Sequence, residues 1–161
     1  MNTRLAVAAD VPLVKSVTDA AYHHYIDRIG TVPAPMKADH AADVAAGRVF
    51  VVGDPVLGVI VLVPRDGHLF LESIAVHPDA KGTGLGRALL RFAEARAREL
   101  GLYEIRLYTN ALMWENQNLY ARYGYEITER RVDGPYDRIH YRKRLQPDAF
   151  AAARRVPAAG C

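Results

Sequence analysis

The hydrophobic period of this chain changes across one glycine-rich loop, and that change constrains the fold more than any other feature. Upstream of the loop, residues 48–53 and 56–63 are β-branched apolar runs separated by Asp54-Pro55, the pattern of an antiparallel hairpin. The turn Arg65-Asp66-Gly67 then leads into a third strand over residues 68–76. Downstream of Lys81-Gly82-Thr83-Gly84-Leu85-Gly86, the apolar residues Leu85, Leu89, Phe92, Ala93 and Leu100 recur at helical spacing until Gly101 stops them. A strand that passes through a glycine loop into a helix start is a site for an anion, because free backbone N–H groups and the helix dipole point at one place. Gly82, Gly84 and Gly86 permit positive φ and put no Cβ between those amides and a ligand, while Lys81 and Arg87 add positive charge at the rim. The alternative is a loop with only a turn-forming role.

The flanking segments complete a single α/β chain of the α+β type. Residues 3–8 read as a first strand, and Asp10 before Val11-Pro12 as the N-cap of a helix running to about Ile29, with Val14, Val17, Ala21 and Tyr25 on one face. Gly30 ends it, Thr31-Val32-Pro33-Ala34-Pro35 is a loop, and residues 38–46 form a short second helix. A strand at 104–109, a helix at 114–123 capped by Gly124, and strands at 125–131 and 138–145 follow, giving the order βαα-βββ-α-β-α-ββ. A length of 161 residues suits one core, assigned to residues 1–145, with residues 146–161 expected to be a mobile tail or a partner-contacting arm.

Composition and spacing exclude several functions. A Walker loop needs Gly-Lys-Ser/Thr after four intervening residues, and that spacing is absent. A dinucleotide fingerprint needs its first glycine directly after the strand and a third glycine or alanine three beyond the second; here residues 77–81 intervene and the third position is Arg87. The single cysteine, Cys161, cannot build a disulfide or a thiolate cluster, and the six histidines show no ligand spacing, so no metal is expected. No apolar run is long enough for a membrane span and no secretory leader is visible, so a cytoplasmic location is expected. The formal net charge of +3 is spread along the chain; it suits a phosphate-bearing ligand, and no nucleic acid is expected.

Residues 74–90, Ile74-Ala75-Val76 through Ala88-Leu89-Leu90, resemble the acetyl-CoA-binding motif of the GNAT superfamily, with Lys81 where the family has Arg or Gln. The segment Glu115-Asn116-Gln117-Asn118-Leu119-Tyr120-Ala121-Arg122-Tyr123-Gly124-Tyr125 is similar to that family's second signature, a helix carrying Leu-Tyr and ending in Gly-Phe or Gly-Tyr. The resemblance spans roughly residues 3–145. It implies a GNAT-like fold, a mixed and mostly antiparallel sheet of about seven strands with about four helices. It implies an acetyl-CoA-dependent N-acetyltransferase acting on a primary amine, either a small molecule or a peptide, by direct transfer in a ternary complex. The competing function is a non-catalytic acyl-CoA sensor or interaction protein on the same fold. A basic RNA- or ribosome-associated module rests only on charge and Arg154-Arg155. Dimerisation is compatible with the family but has no mark in the sequence.

The resemblance also assigns residues. The cofactor contacts it implies are Ile74, Ala75, Val76, Lys81, Gly82, Thr83, Gly84, Leu85, Gly86, Arg87 and Asn116. In the family the third central strand splays from the next and receives the pantetheine arm, which makes the N–H groups of Ile74 and Val76 candidate donors. Tyr120 takes the place of the tyrosine that protonates the leaving thiolate, its alternative being a packing residue under the cofactor. Glu72 is the candidate base, as a carboxylate in an apolar run on the even-numbered face it shares with Ile74 and Val76; its alternative is a rim carboxylate paired with an arginine. Tyr108 could assist it. Tyr22, His23, Tyr25, Tyr108 and Tyr136 are the candidate acceptor-site residues.

Overall fold

The computed structural model describes residues 2–147. Of the expected tail, residues 148–161, with Arg154, Arg155 and Cys161, lie outside the described residues. Seven strands form one sheet in the order β1-β2-β3-β4-β5-β7-β6. They are β1 (Thr3–Leu5), β2 (Val49–Val52), β3 (Gly58–Arg65), β4 (His68–Val76), β5 (Glu104–Asn110), β6 (Glu126–Asp133) and β7 (Tyr136–Arg144). Every pairing is antiparallel except β4 with β5. The α-helices are α1 (Val11–Tyr22), α2 (Tyr25–Ile29), α3 (His40–Ala45), α4 (Leu85–Glu99) and α5 (Trp114–Arg122).

Strands β2 and β3 bury both faces, as their unbroken apolar runs require. Phe50, Val52, Ile60 and Leu62 pack with Leu85, Leu89 and Ala93 of α4, while Val49, Val51, Val59 and Val61 pack with Val14, Val17 and Val44 of α1 and α3. Each of these fully buried aliphatic side chains contributes about 1.5–3 kcal/mol of transfer free energy. The far end of the sheet is different: β6 is exposed almost throughout.

Three expectations at the N-terminal end are corrected. The first strand stops at Leu5, and Asp10 does not cap α1 with its side chain. Its carboxylate instead accepts from Arg4 at 2.7 and 2.8 Å and from the Val7 amide at 2.8 Å, a charge-assisted set stronger than a cap. The single first helix is two, with a break at His23-His24, so there are five α-helices in place of about four. Both halves keep the expected buried face, since Val14, Val17 and Tyr25 are all buried.

One irregularity positions the functional site. In the β3–β4 ladder Val61 faces Ser73 while Leu62 faces Leu71, so Glu72 is an extra residue. A bulge of this kind bends its strand and increases its twist. Accordingly β4 pairs with β5 only at Leu69–Ile105 and Phe70–Arg106, and beyond Phe70 the two strands diverge.

Candidate active site

The diverging strands open the sheet on the side where the glycine loop stands. A cleft of about 590 Å³ runs from Ile74 and Val76 to the glycine loop, walled by Ala21, Tyr22, His24 and Tyr25 on one side and by Glu115, Asn116 and Leu119 on the other. The Tyr22 hydroxyl donates to the Ile74 carbonyl at 2.7 Å, so the backbone groups of Ile74 face away from β3. By the two-residue alternation of a strand those of Val76 do too.

At the other end of the cleft, Gly82 and Gly84 adopt φ of 80° and 84°, values that side chains with a Cβ resist. Gly84 precedes α4, whose first turn has no side-chain cap, so its N–H groups stay open to a ligand. Gly86 differs from expectation: it lies inside α4 with ordinary helical φ, and a Cβ there would meet only Leu119 and Val76 at van der Waals distance. Lys81, Gly82, Gly84, Leu85, Gly86, Arg87 and Asn116 all line the cleft. Ala75 and Thr83 do not. Ala75 packs under α1 with Val59 and Val61, and the Thr83 hydroxyl is turned back onto the Ala80 carbonyl.

A second, smaller cavity of about 100 Å³ adjoins the cleft, and Tyr22 and Asn116 line both. Its walls include Glu72, Ser73, Tyr108, Asn110, Tyr120, Tyr136, Arg138 and, from α3, His40 and Asp43. Tyr120 therefore borders this cavity and not the large cleft. Its ring stands edge-on to Tyr125 and tilted to Tyr141. Burial raises its phenol well above the ordinary value, with the neighbouring Tyr22, Tyr125 and Tyr141 adding to it.

Glu72 faces this cavity, not the side of Ile74 and Val76, because the bulge at Glu72 reverses the parity on which that expectation rested. Ile74 packs toward α4. Partial burial raises the Glu72 carboxyl above its ordinary value and the nearby Asp43 carboxylate adds to this, while Arg48 and Arg65 oppose it. Among the described residues no arginine or lysine lies within 4.0 Å of it, which argues against the ion-paired rim reading.

The remaining candidate acceptor residues separate. Tyr108 and Tyr136 line the small cavity, with the Tyr136 hydroxyl donating to the Val32 carbonyl at 2.9 Å. Tyr25 lines the large cleft and donates to Glu115 at 3.1 Å. His23 is exposed and borders neither. It lies at the break between α1 and α2, where the chain turns its side chain outward. Arg28 closes this region, binding Glu115 through two nitrogens at 2.9 and 3.1 Å and lying over the Trp114 ring at 4.4 Å. The sequence reading missed His40, Asp43, Asn110 and Arg138. No pattern in the residues around these four marked them out.

This architecture, a mixed sheet split between β4 and β5 beside an open helix start, is that of an acyl-transferring α/β protein. A family model described as an acetyltransferase (GNAT) domain matches residues 45–127, just over half of the chain. The chain belongs to the GNAT acetyltransferase family. No curated protein sequence matches it significantly. Among solved structures, the PaiA N-acetyltransferase of Thermoplasma acidophilum, in complex with coenzyme A, superposes with a TM-score of 0.76 at 17% identity, over 89% of this chain and 98% of that one. The ribosomal-protein-S18-alanine N-acetyltransferase of Escherichia coli gives 0.72 at 19% identity, over 91% and 95%. An IAA acetyltransferase from Bacillus cereus gives 0.65 at 22% identity, over 89% and 99%. At these identities the likeness is one of fold. Among the described residues no helix is long and apolar enough to cross a membrane.

Proposed function

We propose that the chain moves the acetyl group of acetyl-CoA directly to a primary amine in a ternary complex. The observation that carries this reading is the pair of adjoining cavities, one ending at an open helix start and the other lined by ionisable side chains, which share Tyr22 and Asn116. The amides of Gly82 and Gly84 and of the first turn of α4 bind the pyrophosphate, with Lys81 and Arg87 at the rim. The outward backbone of Ile74 and Val76 pairs with the pantetheine arm as an added strand.

Acetyl-CoA supplies a thioester whose carbon gains a bond to the amine nitrogen and loses its bond to sulfur, which leaves with a proton as the free thiol. Glu72 takes the proton that the amine must lose, directly or through water, and its raised carboxyl suits that role. Tyr120 stays protonated to well above neutral pH and gives a proton to the departing sulfur. No covalent acetyl-enzyme is needed. The described walls of the small cavity contain Ser73 but no cysteine, and Ser73 has no hydrogen-bonded base.

The test is release of CoA thiol by the purified protein with acetyl-CoA and a broad amine panel, with the acetylated product identified by mass spectrometry. Binding of acetyl-CoA without thiol release from any amine would favour the sensor reading instead.

A further inference from the structure

The small cavity carries opposite charges on separate walls. Glu72 on β4 and Asp43 on α3 stand on one side. Arg138 on β7 stands on the other, separated from them by β5 and by the opening between β4 and β5 beyond Phe70. The Arg138 guanidinium is fixed without being used up. It lies 4.3 Å from the Tyr108 ring centroid and 4.9 Å from that of Tyr136, and only 17% of its side chain is exposed. Among the described residues its one hydrogen bond is a long contact of 3.4 Å to Asp133, so most of its five N–H donors are open. The Lys37 ammonium, 5.7 Å from the Tyr136 ring centroid, adds positive charge near this end.

A further polar group awaits a partner. His40 is more than nine-tenths buried and borders the cavity, and its Nε2 has no hydrogen bond among the described residues. An unpaired buried polar atom costs about 1–3 kcal/mol unless a ligand or water satisfies it. The volume of about 100 Å³ is that of about three waters at liquid packing, which suits a small polar acceptor.

We infer that the acceptor is a small aminocarboxylate, held with its carboxylate on Arg138 and its amine toward Glu72. A planar guanidinium whose donors are free and whose faces are stacked recognises a carboxylate in preference to a carboxamide or an alkyl end. A polyamine has no anionic group for the Arg138 wall to hold, and a peptide carries its terminal carboxylate far from its terminal amine. This inference rests on the acetyl-transfer reading for the direction of the amine, but not for the occupancy of the cavity.

The experiment compares amino acids with their carboxamides and with the corresponding decarboxylated amines, by thiol release and by calorimetric binding to the CoA-loaded protein. Aminocarboxylates should exceed the other two series in kcat/KM by about tenfold or more, the loss expected for one charge-assisted hydrogen bond. Arg138→Gln should abolish that preference through KM. Equal or better turnover of carboxamides or alkylamines overturns the inference while leaving acetyl transfer intact. Where no amine releases thiol, acetyl transfer fails, and calorimetry alone decides: aminocarboxylate binding that Arg138→Gln removes supports the site, and its absence overturns it. The wild-type comparison stands even if the variant does not fold.

Discussion

The Tyr22 hydroxyl donates to the Ile74 carbonyl at 2.7 Å, tying the end of α1 to the strand edge that the splay leaves unpaired. Burial holds the Tyr22 phenol at about 12, so it remains a neutral donor throughout the physiological range. Replacing it by phenylalanine strands a buried carbonyl, and Tyr22→Phe should lower stability by about 1–3 kcal/mol in denaturant titration. An unchanged unfolding midpoint would show that the carbonyl finds water instead.

Glu72 couples activity to stability with opposite signs. Its carboxyl is raised in the folded state, so the folded protein favours the protonated form. The group therefore contributes stability below its unfolded value of about 4.5, and that contribution disappears as pH rises through the raised value. At neutral pH Glu72→Gln should melt no lower than the native protein while losing the acidic limb of its kcat/KM profile. A variant that keeps that limb shows that another group is the base.

Tyr120→Phe should lower kcat by about 10²–10⁴-fold, the usual contribution of a positioned acid, while acetyl-CoA binding measured by calorimetry stays close to native. A kcat within threefold of native would assign Tyr120 to packing alone.

The clasp between Arg28 and Glu115 holds α2 against α5 at the edge of the cleft. The Arg28 guanidinium holds the Glu115 carboxyl down at about 2. Because this carboxyl is depressed, its contribution is complete above the ordinary carboxylate range and is lost as pH falls toward 2. The protection of the α2 amides, taken relative to intrinsic exchange, should fall over that acid window, and Glu115→Gln should show the lower protection already at neutral pH. Equal protection in the two proteins would deny the clasp a role.

Gly84 holds φ of 84° with nothing within 4 Å of the position a Cβ would take. Any cost of Gly84→Ala is therefore backbone strain, about 1–2 kcal/mol. The variant should bind CoA more weakly than native in calorimetry; native affinity would show that the loop tolerates the strain without moving its amides.

Much of this protein was legible in its residues because local rules act there without help. The strand β4 begins and ends where the pattern from His68 to Val76 places it, and Gly84 precedes α4 as the loop chemistry requires. Alternating apolar residues commit a strand's faces before any partner is present, and positive φ selects glycine from the backbone alone. The bulge at Glu72 was not legible. An extra residue in one strand is defined only by its partner, here the shift from Val61 to Leu62, and it moved Glu72 to the opposite face from the one its number implied. Likewise nothing near Arg138 or His40 in sequence marks them. They border one cavity with Glu72 because β7 pairs with β5 on the far side of the split and α3 brings His40 to the same cavity, contacts between residues distant along the chain. The sequence thus determined the scaffold and the anion-binding turn, whereas the charges around the acceptor were decided by tertiary packing, which alone sets the distances between them.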